Sequence, residues 1–150
     1  MRCRSLAFAI VALLLVPLSL PAELSKDLQQ DLAAAKYVYI SSTRKDGTLS
    51  TPAEIWFMWH DGAVYVGTRP ASWRVKRIQA GRPEAKIAVG KVDGPSFTAT
   101  GSLVKDAKTE ALLMETYAKK YADGWDKYAD NFRDGLKDGS RVVVKYLPKN

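Results

Sequence analysis

The chain has almost none of the residues that build metal and thiol chemistry. Among 150 residues there is one cysteine, Cys3, and one histidine, His60. A zinc site with three or four nitrogen and sulfur ligands cannot be assembled from that stock, and a disulfide has no second sulfur. His60 adjoins an Asp-Gly turn, where an exposed turn residue explains it better than a catalyst or a haem ligand. A serine–histidine–acid triad would have to use this one imidazole, and no G-x-S-x-G accompanies it. Gly90, Gly94 and Gly101 are scattered, so there is neither a Walker-type nor a dinucleotide fingerprint. No internal repeat, linker or low-complexity tract divides the chain, and its length suits one domain with a real core.

Only one long apolar run is present, at the start. Arg2 and Arg4 precede a nearly unbroken apolar stretch from Leu6 to Leu18, and Leu20-Pro21-Ala22 offers a small residue at a cut. This is the pattern of a secretory signal peptide over residues 1–22, and it is too short for a stable membrane span. Polar helical sequence begins directly after Ala22, which favours cleavage there over an uncleaved anchor. Arg2 and Arg4 are not adjacent, so the twin-arginine route is not indicated. The domain proper is then 23–150, exported to the periplasm or secreted, and without cysteine once Cys3 has left. Loss of the two arginines takes the formal charge from +7 to +5. That excess is compatible with anionic small molecules, nucleic acid or a membrane surface, and it selects none of them.

The remaining pattern is one of short strands and turns. Ser25 caps a helix to about Ala35, with Leu24, Leu28, Leu32 and Ala35 on one face. Strands are predicted from Lys36 to Thr43, Leu49 to Trp59, Ala63 to Thr68, Ala85 to Val92, Phe97 to Lys105 and Arg141 to Leu147. Asp46-Gly47 and Asp61-Gly62 are hairpin turns, and Pro52 demotes its end of the second strand to an edge or bulge. Asp106 caps a helix to about Tyr121, which Gly124 breaks; Trp125, Tyr128, Ala129 and Phe132 keep a helical period to Gly135. Six strands joined mainly by hairpins, with helices inserted between them, imply a mainly β (α+β) fold, an antiparallel barrel with peripheral helices.

The most informative stretch is Gly67 to Gly81, G-T-R-P-A-S-W-R-V-K-R-I-Q-A-G. A strand ends at Thr68, Pro70 turns the chain, and Ser72 stands at the N-cap of a short helix over 72–80. Thr68, Arg69, Ser72, Arg74, Lys76 and Arg77 surround that helix start. Hydroxyls, free backbone N–H groups and cations at such a place suit a phosphate; a solvated basic helix between two strands fits the same residues. Trp73 among cations would also suit a single nucleic-acid strand. Export and the spread of Asp and Glu over the rest of the chain argue against that partner, and no nucleic acid is expected.

In order and spacing these pieces resemble the FMN-binding split-barrel family of pyridoxamine 5'-phosphate oxidase. The resemblance runs from about Leu24 to Leu147 through Y-V-Y-I-S-S-T-R-K-D-G-T-L-S-T-P-A-E-I-W-F, V-Y-V-G-T-R-P-A-S-W-R-V-K-R-I and F-T-A-T-G-S-L-V. It implies a six-stranded antiparallel split β-barrel and a homodimer with two flavin sites at the subunit interface. It places the phosphate on Thr68, Ser72, Trp73 and Arg74, with Lys76 adding charge, and lays the isoalloxazine along Pro52, Ala53, Glu54 and Ile55. Relatives often carry a basic residue where this chain has Trp73, which leaves a deazaflavin or a haem open beside FMN. The implied activity is that of an exported FMN-dependent oxidoreductase acting on a small molecule. A non-enzymatic flavin-, deazaflavin- or haem-binding protein is the alternative, and a basic module without cofactor a third.

Overall fold

The computed structural model describes residues 22–149, so the expected leader lies outside the described residues except for Ala22. Helix α1 (Lys26–Ala34) starts as its sequence requires, with the Leu28 N–H donating to Ser25 Oγ at 3.3 Å. Strand β1 (Val38–Ser42) follows, and the chain turns through Asp46-Gly47, where Gly47 has φ +83°. The next strand is where expectation and structure differ. Instead of one strand from Leu49 to Trp59 there are two short ones, β2 (Ala53–Ile55) and β3 (Met58–His60). Strand β4 (Ala63–Thr68) returns through Asp61-Gly62, both with positive φ as a type I′ turn demands. Then come α2 (Trp73–Gln79), β5 (Glu84–Val89) and β6 (Ser96–Val104). Helix α3 (Ala107–Lys120) is capped by Asp106, whose carboxylate accepts from the Thr109 N–H at 2.8 Å. Helices α4 (Ala122–Trp125) and α5 (Ala129–Asp138) and strand β7 (Val142–Pro148) complete the chain.

The seven strands form one antiparallel sheet in the order β2-β1-β5-β6-β7-β4-β3. Strands β2 and β3 are consecutive in the chain yet lie at opposite edges of the sheet. Only Trp56 and Phe57 join them, so the sheet is rolled and its two edges are tied covalently. The split explains the count of seven where six strands were expected. The expected long strand exists as one run of chain serving both halves of a split barrel.

The cause lies in where the two seam residues go. Phe57 is fully buried in the barrel interior with Val38, Ile40, Val64, Val66, Ile87 and Val144. Trp56 turns to the other face and stacks on Tyr121 of the α3 C-cap, with centroids 4.3 Å apart and planes 5° apart. On that outer face Tyr65, Leu113, Tyr117, Trp125 and Phe132 form a second, aromatic core between β4 and the helices. Strand β4 is therefore buried on both faces. Burying each such large side chain stabilises by roughly 1.5–3 kcal/mol. Helix α3 ends at Tyr121, whose ring and hydroxyl are fixed in this core. Gly124 sits inside the short α4 and does not end the longer helix as expected.

A chain leaving its ladder exposes backbone polar groups, and here side chains satisfy them. The Tyr117 hydroxyl donates to Trp56 O at 2.8 Å and accepts from the Gly67 N–H at 3.2 Å. The Tyr121 hydroxyl accepts from the Phe57 N–H at 2.9 Å and donates to Lys36 O at 2.8 Å. Burial pushes both phenols well above the ordinary tyrosine value. Lys120 Nζ donates to Phe57 O at 3.3 Å and lies 3.4 Å from the centre of the Phe57 ring. The same burial pushes the Lys120 ammonium down to about 8.

Candidate functional site

The end of β4 sets the site. Gly67 lies against the Phe132 ring of α5, where a Cβ would come 2.5 Å from Phe132 Cε1. The aromatic wall can approach this backbone because Gly67 has no side chain. Thr68 ends the strand, and residues 69–72 form a tight turn in which the Ser72 N–H donates to Arg69 O at 3.0 Å. Ser72 takes the extended conformation of an N-cap, yet its hydroxyl makes no capping bond. Among the described residues four buried side-chain atoms lack a hydrogen-bond partner: Ser72 Oγ and Arg74 Nη1 at this turn, Arg82 Nε, and Tyr146 Oη, which neighbours the Arg74 guanidinium. Orphaned polar atoms cost about 1–3 kcal/mol each when nothing binds them. Two of the four fall at this turn, and such exceptions to buried pairing call for an explanation.

Two cavities meet at Ser72. The larger, 630 Å³, lies between β2, the end of β4 and α5, with Ile55, Trp56, Tyr128 and Phe132 as its apolar lining. Thr68 and Ser72 bring hydroxyls, Arg69 and Arg141 positive charge, and Glu54 the carboxylate. Glu54 accepts a 2.6 Å hydrogen bond from Tyr39, which raises the Tyr39 phenol above its usual value. Arg141 is held by Asn131 Oδ1, at 3.0 Å from Nε and 2.6 Å from Nη2, and its guanidinium lies 4.6 Å from the centre of the Phe132 ring. Desolvation, and then the like charge of Arg69, lower Arg141 from the ordinary guanidinium value. The smaller cavity, 410 Å³, opens on the other side of Ser72, between β1, β2 and α2.

The residues singled out in the sequence divide between these cavities. Glu54, Ile55, Thr68 and Ser72 line the larger one. Ala53, Ser72, Trp73 and Arg74 line the smaller. Pro52 and Lys76 line neither; Lys76 is exposed, its ammonium 5.1 Å from the centre of the Trp73 ring. His60 ends β3, exposed beside the Asp61-Gly62 turn, and lines neither cavity. Sequence reasoning missed Tyr128, Phe132 and Arg141, because a helical period marks a buried face and does not say which cavity that face borders. It also missed Arg44 and Arg77 as partners in one cavity, since a turn and a helix meet there only in three dimensions.

A rolled antiparallel sheet, one strand run shared between its halves and a cation-bearing turn beside the seam define a split barrel. The chain has the pyridoxamine 5'-phosphate oxidase-like split-barrel fold. Protein Rv2991 of Mycobacterium tuberculosis superimposes with a TM-score of 0.66 at 13% identity, over 87% of this chain and 83% of its own. A Listeria innocua protein assigned as a pyridoxamine 5'-phosphate oxidase gives 0.60 at 16% identity, over 83% and 92%. HutZ, the haem storage protein of Vibrio cholerae, gives 0.55 at 13% identity, over 86% and 92%. No protein-family model matches the sequence, and no curated protein sequence does. At these identities the likeness is one of fold. It carries no substrate with it.

Proposed function

We propose that this protein binds FMN and works as an exported oxidoreductase on a small molecule. One observation carries the reading: the buried, unpartnered Ser72 Oγ and Arg74 Nη1, where the family resemblance places a phosphate. The residues fit the group. Ser72 and Arg74 would hold the phosphate, with Thr68 close by. The apolar and aromatic lining of the 630 Å³ cavity would take the ring, a volume within the roughly 300–1,000 Å³ usual for such ligands. Strand β2 pairs only with β1, so backbone groups of Ala53–Ile55 facing away from β1 are free to bond a ring edge. When bound, the flavin supplies hydride or electron transfer, and the protein supplies binding, orientation and electrostatics. Trp56, Tyr128 and Phe132 would keep water from one side of the site. A homodimer completes the reading. Light scattering and intact mass of the secreted protein check the dimer and the cleavage after Ala22.

The test is a visible spectrum of the purified protein, followed by titration of Arg74→Ala. A charge-assisted hydrogen bond contributes roughly 1.5–3 kcal/mol, so FMN should bind about 10- to 150-fold more weakly. Riboflavin, which has no phosphate, should be unaffected. Arg133→Ala removes the same charge from α5, where Arg133 pairs with Asp130 and Asp134 at 2.8 and 3.1 Å, and should change FMN affinity little. Equal losses in the two variants would mean general charge attraction. Haem or deazaflavin bands in the spectrum would overturn the flavin assignment, and a colourless protein that binds no flavin would favour a basic module. Reduction of the bound flavin by a small-molecule reductant, followed by its reoxidation by an added electron acceptor over repeated turnovers, separates an enzyme from a carrier.

A further inference from the structure

One of the buried atoms without a partner lies inside the barrel. Tyr146 stands in β7, opposite Val64 of β4 and Gly101 of β6. It is 1% exposed and belongs to the apolar interior, yet its hydroxyl has no hydrogen-bond partner. Gly101 makes room for its ring and for Ile78 of α2: a Cβ there would come 2.8 Å from Tyr146 Cε1 and 2.9 Å from Ile78 Cδ1. Ile78 and Tyr146 therefore meet over Gly101. Ile78 follows Arg74 by four residues in α2, so the two share one face of that helix. On the same face the Arg74 guanidinium neighbours the phenol oxygen of Tyr146. Burial raises this phenol above the ordinary tyrosine value, and the cation beside it works the other way. Arg74 forms no ion pair among the described residues, and no carboxylate lines its cavity. A guanidinium only donates and a phenol oxygen can accept, so the two orphans are chemically matched.

We propose that Tyr146 is a positioning residue for Arg74: when a phosphate is bound, the phenol oxygen accepts from the guanidinium and holds it against the anion. The proposal rests on the reading that Arg74 holds the phosphate. A long arginine side chain is costly to order, and a support in the core lessens what the ligand must supply. The proposal also explains why a tyrosine stands there. A phenylalanine would fill the same space without a buried hydroxyl that no protein group satisfies.

The experiment is a fluorescence titration of the full mature chain with FMN and riboflavin, for the wild type, Tyr146→Phe, Arg74→Ala and the double variant, with urea denaturation of each. Interacting neighbours couple by roughly 0.5–3 kcal/mol, so Tyr146→Phe should weaken FMN about 2- to 150-fold and leave riboflavin within about twofold. The urea midpoint should not fall, because the substitution removes a hydroxyl that has no partner. In the Arg74→Ala background Tyr146→Phe should cost FMN nothing more. A loss equal for FMN and riboflavin, or a lowered urea midpoint, would make the hydroxyl structural and overturn the proposal. So would a full further loss on top of Arg74→Ala, since Tyr146 would then act without Arg74. An Arg74→Ala effect on FMN with none from Tyr146→Phe would sink this proposal alone. No Arg74→Ala effect, or no flavin binding, would sink the underlying reading with it.

Discussion

At the Trp56–Phe57 seam and at the 69–74 turn the chain leaves a strand beside the same aromatic cluster, and the two places are finished differently. At the seam Trp56 O, Phe57 N and Phe57 O each have a side-chain partner, supplied by Tyr117, Tyr121 and Lys120. At the turn Ser72 Oγ and Arg74 Nη1 are buried without one. The seam lies in packed aromatic core, whereas the turn borders two cavities. A fully paired buried network stabilises and fixes a conformation; an unpaired one costs stability and persists where it serves a ligand. The seam holds the barrel shut, and the turn is left with unpaired polar groups.

Substitution can break this comparison, and the largest effect is expected at the seam. Tyr121→Phe leaves the Phe57 N–H and Lys36 O without their phenol, and Tyr117→Phe does the same to Trp56 O and the Gly67 N–H. Each should lower unfolding free energy by about 1–3 kcal/mol, read from urea denaturation. Variants as stable as the wild type would show that water replaces the hydroxyls and that the seam is not specially secured.

The two N-cap serines sharpen the contrast at a smaller scale. Ser25 Oγ accepts from the Leu28 N–H, whereas Ser72 makes no capping bond. Ser25→Ala should cost about 1 kcal/mol. Ser72→Ala should stay within about 0.5 kcal/mol of the wild type, because it removes a buried orphan, while weakening FMN. Equal destabilisation by both would make Ser72 a structural residue and remove the distinction.

The smallest effect is a pH slope at Lys120. Its folded value of about 8 lies below the ordinary 10.5, so between those two values the unfolded chain binds more protons than the folded one. Stability should therefore rise with pH across that window, and the cost of the buried charge is fully present below about pH 8. The ammonium is only partly buried, which keeps the gain small. Thermal unfolding of the wild type from about pH 7.5 to 9.5, below tyrosine ionisation in the unfolded chain, should show the rise. Lys120→Met should abolish it. A slope that survives the substitution belongs to another group.

What could be read from the sequence follows the range of the signals. Local chemistry was legible: the caps at Ser25 and Asp106, the Asp-Gly turns and the strand–turn–helix of 63–79 all appear close to their expected bounds. The division of Leu49–Trp59 was not, because the alternation of Trp56 and Phe57 is equally that of an unbroken strand. Only closure of the sheet separates them. At the site, the turn bearing Ser72 and Arg74 was visible in one stretch of sequence. The Tyr128 and Phe132 wall was not, since it reaches Gly67 from a helix more than sixty residues away. Gly67 itself was a signal that could have been used, as a glycine inside a β-branched strand marks a close approach.

The sheet order also sets a timetable for folding. Strand β4 pairs with β3 through a two-residue turn, but its other neighbour is β7, the seven residues Val142–Pro148. Strand β6 likewise has one edge open until β7 arrives. A strand made well after both of its neighbours therefore occupies the middle of one half of the sheet, and the seam cannot close around it any earlier. Pairings so distant in the chain are slow to form, and two apolar strand edges stay uncovered in the meantime. Until β7 pairs, those edges are where a second chain could add a strand.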